Sequence, residues 1–291
     1  MLKALIKTMR PRQWPKNGFI FFGLIFDKRL FVLEPFLVTV AGFLLFCLIS
    51  SAVYLFNDVT DVEADRNHPE KKFRPIASGE LPVGVALAAV VILLLLVLPL
   101  AYLLSPWFAL LLAVYFSNNV LYSRWLKHIP ILDVLILSSG FVFRVAGGVA
   151  LILPVEQRFS PWLYMITVLF SLYIVLGKRR AELNLLAKDA VAHRKVFDGY
   201  TIPLLDQYIT IVSGMTIVAY SLYTFSATNL PANHTMMLTI PFVVYGIFRY
   251  LQLIQVGHAA GAPDEVALKD RPLQVTVLLW GLTAVAILYL A

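Results

Sequence analysis

The stretch PFLVTVAGFLLFCLISSAVYLFNDVTDVEADRNHPEKKFRP (residues 35–75) decides how this chain is built. Up to position 56 it is apolar and long enough to cross a bilayer, which takes roughly 20 residues. Three aspartates follow at i, i+3 and i+7, and on a helix this spacing places Asp58, Asp61 and Asp65 on one face. Carboxylates gathered in this way suit a hard cation such as Mg²⁺, which commonly binds substrate phosphates as well. We therefore predict a Mg²⁺–diphosphate site at a membrane surface.

A basic segment follows the aspartates. Lys71 and Arg74 would hold the remaining phosphate charge, Arg74 through the forked donors of its guanidinium, and Asn57 would add a neutral oxygen ligand or hold a phosphate-bound water. The alternatives are a solvated helix end for the aspartates and a topology signal contacting anionic lipid for the cations. Like charges on one helix face are destabilising unless something neutralises them, so metal and phosphate binding is the better interpretation.

The composition is that of a polytopic membrane protein. Of the 291 residues, 60% are hydrophobic and only 14% are charged, whereas soluble domains are about half apolar and about a quarter charged. The net charge of +7 does not indicate nucleic-acid binding, because the basic residues lie between apolar segments, as the positive-inside rule predicts. The single cysteine, Cys47, excludes a disulfide framework.

Nine apolar segments are candidate membrane-spanning helices. The predicted fold class is therefore all-α: a polytopic membrane protein with one integral membrane domain over residues 1–291, in which residues 1–16 form an arm on the cytoplasmic membrane surface. A tight outer turn is expected at Ser105 and Pro106, between the third and fourth spans. The predicted spans are 17–33, 35–56, 82–104, 106–122, 130–151, 160–177, 203–226, 236–256 and 272–290.

The distribution of positive charge orients these spans. With the N-terminus in the cytoplasm, 20 of the 24 Lys and Arg residues fall in cytoplasmic segments and three in outer segments, while Arg144 lies within a span. This bias predicts a cytoplasmic N-terminus and an outer C-terminus. It also brings the polar loops to the cytoplasmic side: the aspartate stretch, the loop that begins at Tyr122, the segment from Lys178 to Glu182, and residues 269–271.

Two further basic segments allow two interpretations each. In the arm, Trp14 between cations is typical of an interfacial anchor, and Lys16, which opens the first span, is the best candidate for a phosphate contact. At the end of the sixth span, Lys178, Arg179 and Glu182 are either positive-inside charge with a local ion pair or a second half-site facing the aspartates. Lys178 and Glu182 share a helix face because they are four residues apart.

The predicted fifth span contains two charged residues. Asp133 and Arg144 are about three helical turns apart and share a face, at a separation of about 16 Å. Arg144 lies near mid-membrane, where a charge is costly, and should face the protein interior and bind an acidic group, a phosphate or water. Asp133 is expected to pair with a cation of the site. Gly140, Gly147 and Gly148 indicate close helix packing.

The pattern Asn57-Asp58-x-x-Asp61-x-x-x-Asp65 resembles the UbiA-type prenyltransferase superfamily, and the resemblance covers essentially the whole chain. It implies a nine-helix membrane enzyme with two polar motifs over a central, lipid-accessible cavity. It also implies Mg²⁺ as cofactor, Asp58, Asp61 and Asp65 as metal ligands, and Asp58 and Asp61 as catalytic residues. Four segments resemble one branch more closely, the decaprenyl-phosphate phosphoribosyltransferases: residues 10–17, 65–79, 122–127 and 176–183.

The second polar motif departs from the superfamily pattern. Where aromatic prenyltransferases usually carry further aspartates, this chain has Lys178-Arg-Arg-Ala-Glu182, which removes metal ligands and adds cations. The resemblance therefore implies phosphoribosyl diphosphate as the donor and a polyprenyl phosphate, a lipid taken from the membrane, as the acceptor. The implied substrate-binding residues are Lys16, Asn57, Lys71, Arg74, Tyr122, Lys127, Lys178, Arg179 and Glu182.

Two other functions compete with this one. An aromatic prenyltransferase also expels diphosphate from a cationic carbon, so the aspartates alone do not distinguish it. A transporter would place its substrate site near the membrane midplane, where only Arg144 lies, whereas the polar loops are all on one side. The sequence leaves open the acceptor chain length, the number of metal ions and whether the protein forms a homo-oligomer.

Overall fold

The computed structural model describes residues 1–152, 160–186, 195–227, 229–256 and 269–290. This part of the chain is helical and contains no β-strand, as predicted for an all-α protein. The α-helices are α1 (Leu2–Met9), α2 (Phe21–Phe26), α3 (Leu33–Thr60), α4 (Val62–Arg66), α5 (Val83–Leu104), α6 (Pro106–Arg124), α7 (Leu132–Ile152), α8 (Pro161–Leu186), α9 (Ile202–Ser226), α10 (Ile240–Gln255) and α11 (Arg271–Leu290). Short 3₁₀-helices lie at Pro11–Ile20, Lys71–Phe73, Leu126–His128, Lys195–Gly199 and Thr235–Thr239.

Within the described residues, seven helical segments are long and apolar enough to cross a membrane. They coincide with the second, the third and the fifth to ninth predicted spans. Large apolar side chains on these helices are exposed, such as Leu95 and Leu103 of α5. Apolar side chains can face the apolar lipid tails, and the backbone polar groups of a helix need no water there because they are bonded to each other. The segments are α3, α5, α7, Pro161–Asn184 of α8, α9, Thr235–Gln255 and α11.

The other two predicted spans are not among these seven. The fourth is the 19-residue helix α6. The first is not one long helix, because a 3₁₀-helix ending at Ile20 is followed by the six residues of α2, which end directly before Asp27. Nine spans and a cytoplasmic N-terminus therefore stay predictions. Three basic residues of the charge count lie outside the described residues: Arg158, Lys188 and Arg194.

The turn between α5 and α6 consists of Ser105 alone. Its hydroxyl accepts a hydrogen bond from the backbone N–H of Phe108 at 3.4 Å, and Pro106 occupies the first helical position. Serine as a helix cap and proline at the helix start both favour an abrupt start. The predicted tight turn is confirmed, and its outer location stays a prediction.

The described chain divides into two compact units. The first contains residues 1–25 and 29–129 together with α7 from Phe143 onward. The second contains residues 26–28 and 130–142 together with the described residues after position 159. Helix α7 thus contributes its beginning to one unit and its end to the other. A single domain over residues 1–291 stays a prediction.

In the first unit, α1 and the 3₁₀-helix after it pack along α3. Ala4 of α1 clusters with Ala52 and Leu55 of α3, and the two small alanine side chains let the helix backbones approach each other closely. The end of the 3₁₀-helix approaches α7 more closely still. A Cβ added to Gly148 would lie 1.8 Å from the carbonyl oxygen of Ile20, so the predicted close packing is confirmed at this glycine.

The second unit is built around α8 and α9, with α10 and α11 packed beside them. Its core includes Tyr173, Leu205, Ile209 and Tyr250. The buried hydroxyl of Tyr173 donates to the carbonyl oxygen of Ile247 at 2.6 Å. This bond satisfies a polar group that would be expensive to leave unpaired among apolar side chains.

Candidate active site

The three aspartates lie where α3 ends and α4 begins. Asp58 is in the last turn of α3, Asp61 separates the two helices, and Asp65 is in α4. The backbone N–H of Asp61 donates to the Asn57 carbonyl at 2.9 Å, and that of Asp65 donates to the Asp61 carbonyl at 2.8 Å. The helical hydrogen-bond pattern therefore continues through the break and keeps the spacing that the sequence predicts.

Arg74 brings two of these carboxylates together. Its Nη1 lies 2.7 Å from Asp65 Oδ2 and 3.2 Å from Asp58 Oδ1. Both aspartate side chains are buried, at 4% and 5% exposure. The two carboxylate oxygens point at one position, and the basic segment that follows the aspartates in sequence supplies the cation found there.

Two further cations complete this cluster. Arg10 Nη2 donates to Asp58 Oδ1 at 2.6 Å, and Lys127 Nζ donates to Asp61 Oδ1 at 2.5 Å. Asp61 is the most exposed of the three aspartates, at 30% for its side chain. The cluster thus pairs each aspartate with a cation contributed by a different part of the first unit, and its charge is nearly balanced.

The cluster can be compared with what Mg²⁺ requires. Within the described residues, no group of three or more His, Cys, Asp or Glu is gathered closely enough to hold a metal, so the aspartates do not form a three-carboxylate cage. Asp58 and Asp65 converge on one point, and Mg²⁺ is usually held by one or two carboxylates plus substrate phosphates. This pair therefore fits Mg²⁺ bound together with a phosphorylated substrate, while Asp61 as a third ligand stays a prediction.

The loop after α6 packs against the aspartate stretch. Ser123, which is buried, donates a short hydrogen bond to Asn57 Oδ1. The 3₁₀-helix Leu126–His128 carries Lys127 to Asp61, and half-buried Tyr122 lies in the last turn of α6. Two segments that are distant in the sequence, around Asn57 and around Tyr122, are therefore in contact, whereas the sequence predicted only that both lie on the same side of the membrane.

His68 shapes the loop that presents Lys71 and Arg74. Its Nδ1 accepts hydrogen bonds from the backbone N–H groups of Glu70 at 3.2 Å and Lys71 at 3.3 Å. Partial burial, and then the neighbouring charge of Lys71, lower the pKa of the His68 imidazole from its ordinary value. The neutral ring is the form that accepts these bonds, and Lys71 itself is half-buried in the turn that follows.

Arg10 is a residue of this cluster that the sequence did not single out. It has a left-handed backbone with φ of 53° at the junction of α1 and the following 3₁₀-helix. Its guanidinium lies over the ring of Tyr54 at 4.9 Å while it donates to Asp58. The sequence favoured Lys16 of the same arm, which the structure places half-buried in the 3₁₀-helix. A segment rich in cations predicts phosphate contacts, but only the tertiary structure shows which cation reaches the aspartate.

The arm itself is fastened to α3. Ser51 Oγ donates to the carbonyl oxygen of Met9 at 3.0 Å, and Trp14 Nε1 donates to Ser51 Oγ at 3.1 Å. On the opposite side of α1, Leu2 and Ile6 are exposed. A helix packed on one face and apolar on an outer face suits the membrane interface.

In the second unit, the predicted second motif forms a network of its own. Arg179 lies 2.7 Å from Asp133 and 2.6 Å from Glu182, and the Tyr200 hydroxyl donates to Asp133 at 2.6 Å. Asp133 therefore pairs with a cation, as predicted. Burial, and then the hydrogen bond to Asp133, raise the pKa of the Tyr200 hydroxyl.

The two adjacent cations of this motif differ in their surroundings. Arg179 is buried, at 4% side-chain exposure, and engaged with two carboxylates. Lys178 is half-buried and forms no ion pair with another described residue. Arg180, the next residue, donates to Asp206 at 2.5 Å. Of the three, Lys178 is the one whose charge is not already neutralised within the described part of the chain.

Comparison with known proteins identifies the family. Residues 18–264 match the model of the UbiA prenyltransferase family, and the chain therefore belongs to that family. It is an integral membrane protein and a transferase.

Several curated relatives that match nearly the whole chain share one description. The chain is 36% identical over 285 residues to decaprenyl-phosphate phosphoribosyltransferase of Mycobacterium tuberculosis, covering 96% of this chain and 92% of the relative. It is 38% identical to the protein of the same description from Mycolicibacterium smegmatis, covering 99% and 93%, and 36% identical to that of Corynebacterium glutamicum, covering 99% and 87%. The resemblance read from residues 10–17, 65–79, 122–127 and 176–183 is confirmed.

Solved structures share the fold at low sequence identity. A UbiA homolog from Archaeoglobus fulgidus bound to DMAPP and Mg²⁺ has a TM-score of 0.73 and 16% identity, covering 99% of this chain and 100% of that one. Digeranylgeranylglyceryl phosphate synthase has a TM-score of 0.70 and 16% identity, covering 100% and 99%. At this identity the likeness establishes the fold alone.

Proposed function

We propose that the chain is a Mg²⁺-dependent phosphoribosyltransferase that moves 5-phosphoribose from phosphoribosyl diphosphate to a polyprenyl phosphate of the decaprenyl type, releasing diphosphate. The observation that carries the proposal is the 36–38% identity to decaprenyl-phosphate phosphoribosyltransferases over 96–99% of the chain. The cluster around Asp58 supports it, because its carboxylates and cations are the groups that a metal and several phosphates require. The product would serve lipid-linked pentose and cell-wall synthesis.

The reaction requires no strong general base. An ionised oxygen of the acceptor phosphate forms a bond to ribose C1, while the bond from C1 to the diphosphate breaks and its electron pair leaves with the diphosphate. Positive charge develops on the ribose ring while the bond to the diphosphate is breaking and the new bond is not yet complete. Catalysis therefore depends on positioning and on stabilising the charge of the leaving group. When bound, Mg²⁺ supplies much of that stabilisation.

The residues of the first unit have distinct proposed roles. Asp58 and Asp65 would hold the metal, with Asp61 as a further ligand. Arg74 and Lys127 pair with Asp65 and Asp61, so they would supply positive charge to substrate phosphates held at these aspartates. Further phosphate or water contacts are proposed for Lys16, Asn57, Lys71 and Tyr122.

For the second motif we propose that Lys178 contacts a substrate phosphate. Arg179 and Glu182, which are also predicted substrate contacts, are held in an ion-pair network with Asp133. The motif contains no aspartate between residues 178 and 182, so it offers charge rather than metal ligands. This composition favours a donor with phosphates at both ends over a prenyl diphosphate.

One assay tests the proposal directly. Purified protein is incubated with Mg²⁺, radiolabelled phosphoribosyl diphosphate and decaprenyl phosphate, and label is expected in the lipid phase. Asp58→Asn should abolish transfer, whereas Glu63→Gln, which removes an exposed acid from the same stretch, should not. Absence of labelled lipid, together with prenyl transfer to a phenolic acid, would show an aromatic prenyltransferase instead.

The proposed site faces the cytoplasm. The support is the excess of basic residues in the segments predicted to be cytoplasmic. A Glu70→Cys substitution in a Cys47→Ser background provides the test, because position 70 is exposed in the loop after α4. A membrane-impermeant maleimide should label it in inverted vesicles and not in intact cells, and the reverse pattern would place the site outside.

A further inference from the structure

Arg144 is the centre of a buried polar cluster in the first unit. Its Nε donates to Asn17 Oδ1 at 2.8 Å, and its Nη2 lies 3.4 Å from the Tyr115 hydroxyl. Its guanidinium carbon also lies 5.3 Å from the ring centre of Phe46 and 5.4 Å from that of Tyr115. An arginine in the middle of a spanning helix is costly without such partners. The mechanism proposed above gives this charge no role.

Asn17 connects this cluster to the N-terminal arm. Its side chain is buried, and its Oδ1 accepts a second hydrogen bond from Ser50 Oγ at 3.3 Å. Its Nδ2 donates to Cys47 Sγ at 3.2 Å. An asparagine amide has two acceptor positions and two donor hydrogens, so three of the four are in use. Arg144 supplies the charged member of this set, which is the strongest type of donor.

The 3₁₀-helix Pro11–Ile20 is held against α7 at two points, which lie one helical turn apart on α7. Arg144 binds Asn17, and Gly148, four residues later on the same face, lies against the carbonyl oxygen of Ile20. The same 3₁₀-helix begins just after Arg10, which donates to Asp58. Seven residues of 3₁₀-helix rise about 14 Å. The anchor at Asn17 therefore holds one end of the helical segment whose other end begins after Arg10, while Met9 and Trp14 are bonded to Ser51 of α3.

We propose that Arg144 is a positioning residue for the donor-binding site. Acting through Asn17, it fixes the 3₁₀-helix so that Arg10 at one end and Lys16 beside the anchor lie where the diphosphate of the donor binds. The identity of the donor rests on the proposed function, whereas the coupling of Arg144 to the arm rests on the contacts alone. Arg144 itself touches no substrate.

Steady-state kinetics test this role. Arg144→Met removes the guanidinium and keeps an unbranched side chain, and it is expected to raise the KM for phosphoribosyl diphosphate about tenfold, as loss of a charged hydrogen bond would, with a much smaller change in kcat. Arg144→Lys keeps a donor and should lie between. Arg29→Met is the matched control, since Arg29 joins the neighbouring segment to the Ile152 carbonyl at the far end of α7, and its KM should be unchanged.

Coupling through Asn17 is tested with a double variant. If Arg144 acts through Asn17, then Asn17→Ala alone and the pair Asn17→Ala with Arg144→Met should raise KM by about the same factor as Arg144→Met. Effects that multiply would overturn the proposal, because each residue would then act independently. If Arg144→Met does not fold, Arg144→Lys and Asn17→Ala carry the same comparison.

The single cysteine gives a readout that does not depend on activity. Cys47 is 1% exposed and lies under Asn17, so maleimide labelling of the purified wild type should be slow. Arg144→Met should accelerate it and Arg29→Met should not. Unchanged labelling together with unchanged KM would overturn the positioning role. A wild type without phosphoribosyl transfer, whose labelling still responds to Arg144→Met, would overturn the proposed function and support the coupling.

Discussion

The buried ion pair of Arg179 and Asp133 allows a quantitative test of the second motif. The two side chains are 4% and 0% exposed, and their charged atoms lie 2.7 Å apart. Arg179→Met would leave the Asp133 carboxylate buried with the Tyr200 hydroxyl but without the charge of its partner. Removing one member of a buried pair costs about 3–5 kcal/mol, because the other charge is left uncompensated.

The expected result is a large loss of stability. Thermal unfolding of the purified protein in detergent should occur on the order of 10 °C lower for Arg179→Met. Lys178→Met is the matched control, because it removes the adjacent cation from a position without an ion pair among the described residues. Its stability should change by about 0.5 kcal/mol or less, while its phosphoribosyl transfer should fall.

A second substitution separates the ion pair from other effects. Arg179→Met combined with Asp133→Leu removes both charges and should recover much of the lost stability, since a buried pair replaced by apolar side chains is often neutral. The reasoning would be refuted if Arg179→Met unfolded at the wild-type temperature and yet lost substrate binding. Arg179 would then be a direct substrate contact, and the network would not be structural.

Three further predictions concern the first unit. Gly148→Ala should destabilise the protein by about 1–3 kcal/mol, because the new Cβ would meet the carbonyl oxygen of Ile20 at 1.8 Å. Gly84→Ala is the control and should not destabilise it, since a Cβ at Gly84 would have nothing within 4 Å. Thermal unfolding of the two variants measures the difference. The lowered pKa of His68 means that the folded loop prefers the neutral ring. The stability of the loop should therefore be full above pH 6.5 and decline as the pH falls through the lowered pKa. Hydrogen exchange of residues 68–74 at pH 7.5 and at pH 5 measures this decline, and equal protection at the two pH values would contradict the prediction. Ser123→Ala should lower stability by about 1–2 kcal/mol, since it removes a buried hydrogen bond to the aspartate stretch; an unchanged unfolding temperature would refute this.

Much of the site was predictable because its residues are close in sequence. Asp58 and Asp65 are separated by two helical turns, so helical spacing alone predicts a shared face. Arg74 follows in the next loop, nine residues after Asp65, and this short connection restricts where its side chain can lie. For such residues local geometry restricts the answer, and the structure confirms that both aspartates bind the same guanidinium.

Contacts between distant segments were harder to predict. Arg10 reaches Asp58 across 48 positions, and several cations of the arm have the same charge and similar length. Composition does not choose among them. The choice follows from the left-handed backbone at Arg10 and from the hydrogen bonds of Met9 and Trp14 to Ser51, both of which depend on how the arm packs against α3.

The sequence by itself determined that this is a helical membrane protein with aspartates gathered at a helix end, because apolar length and helical spacing are local properties. Phosphate binding by that site stays a prediction. The sequence also identified the family, since the aspartate pattern and the Lys178–Glu182 motif are each a short continuous stretch of sequence. Only the tertiary structure decided which charges neutralise each other. Arg179 is buried against Asp133 while Lys178 beside it has no such partner among the described residues, and this difference arises from neighbouring helices that no local pattern encodes.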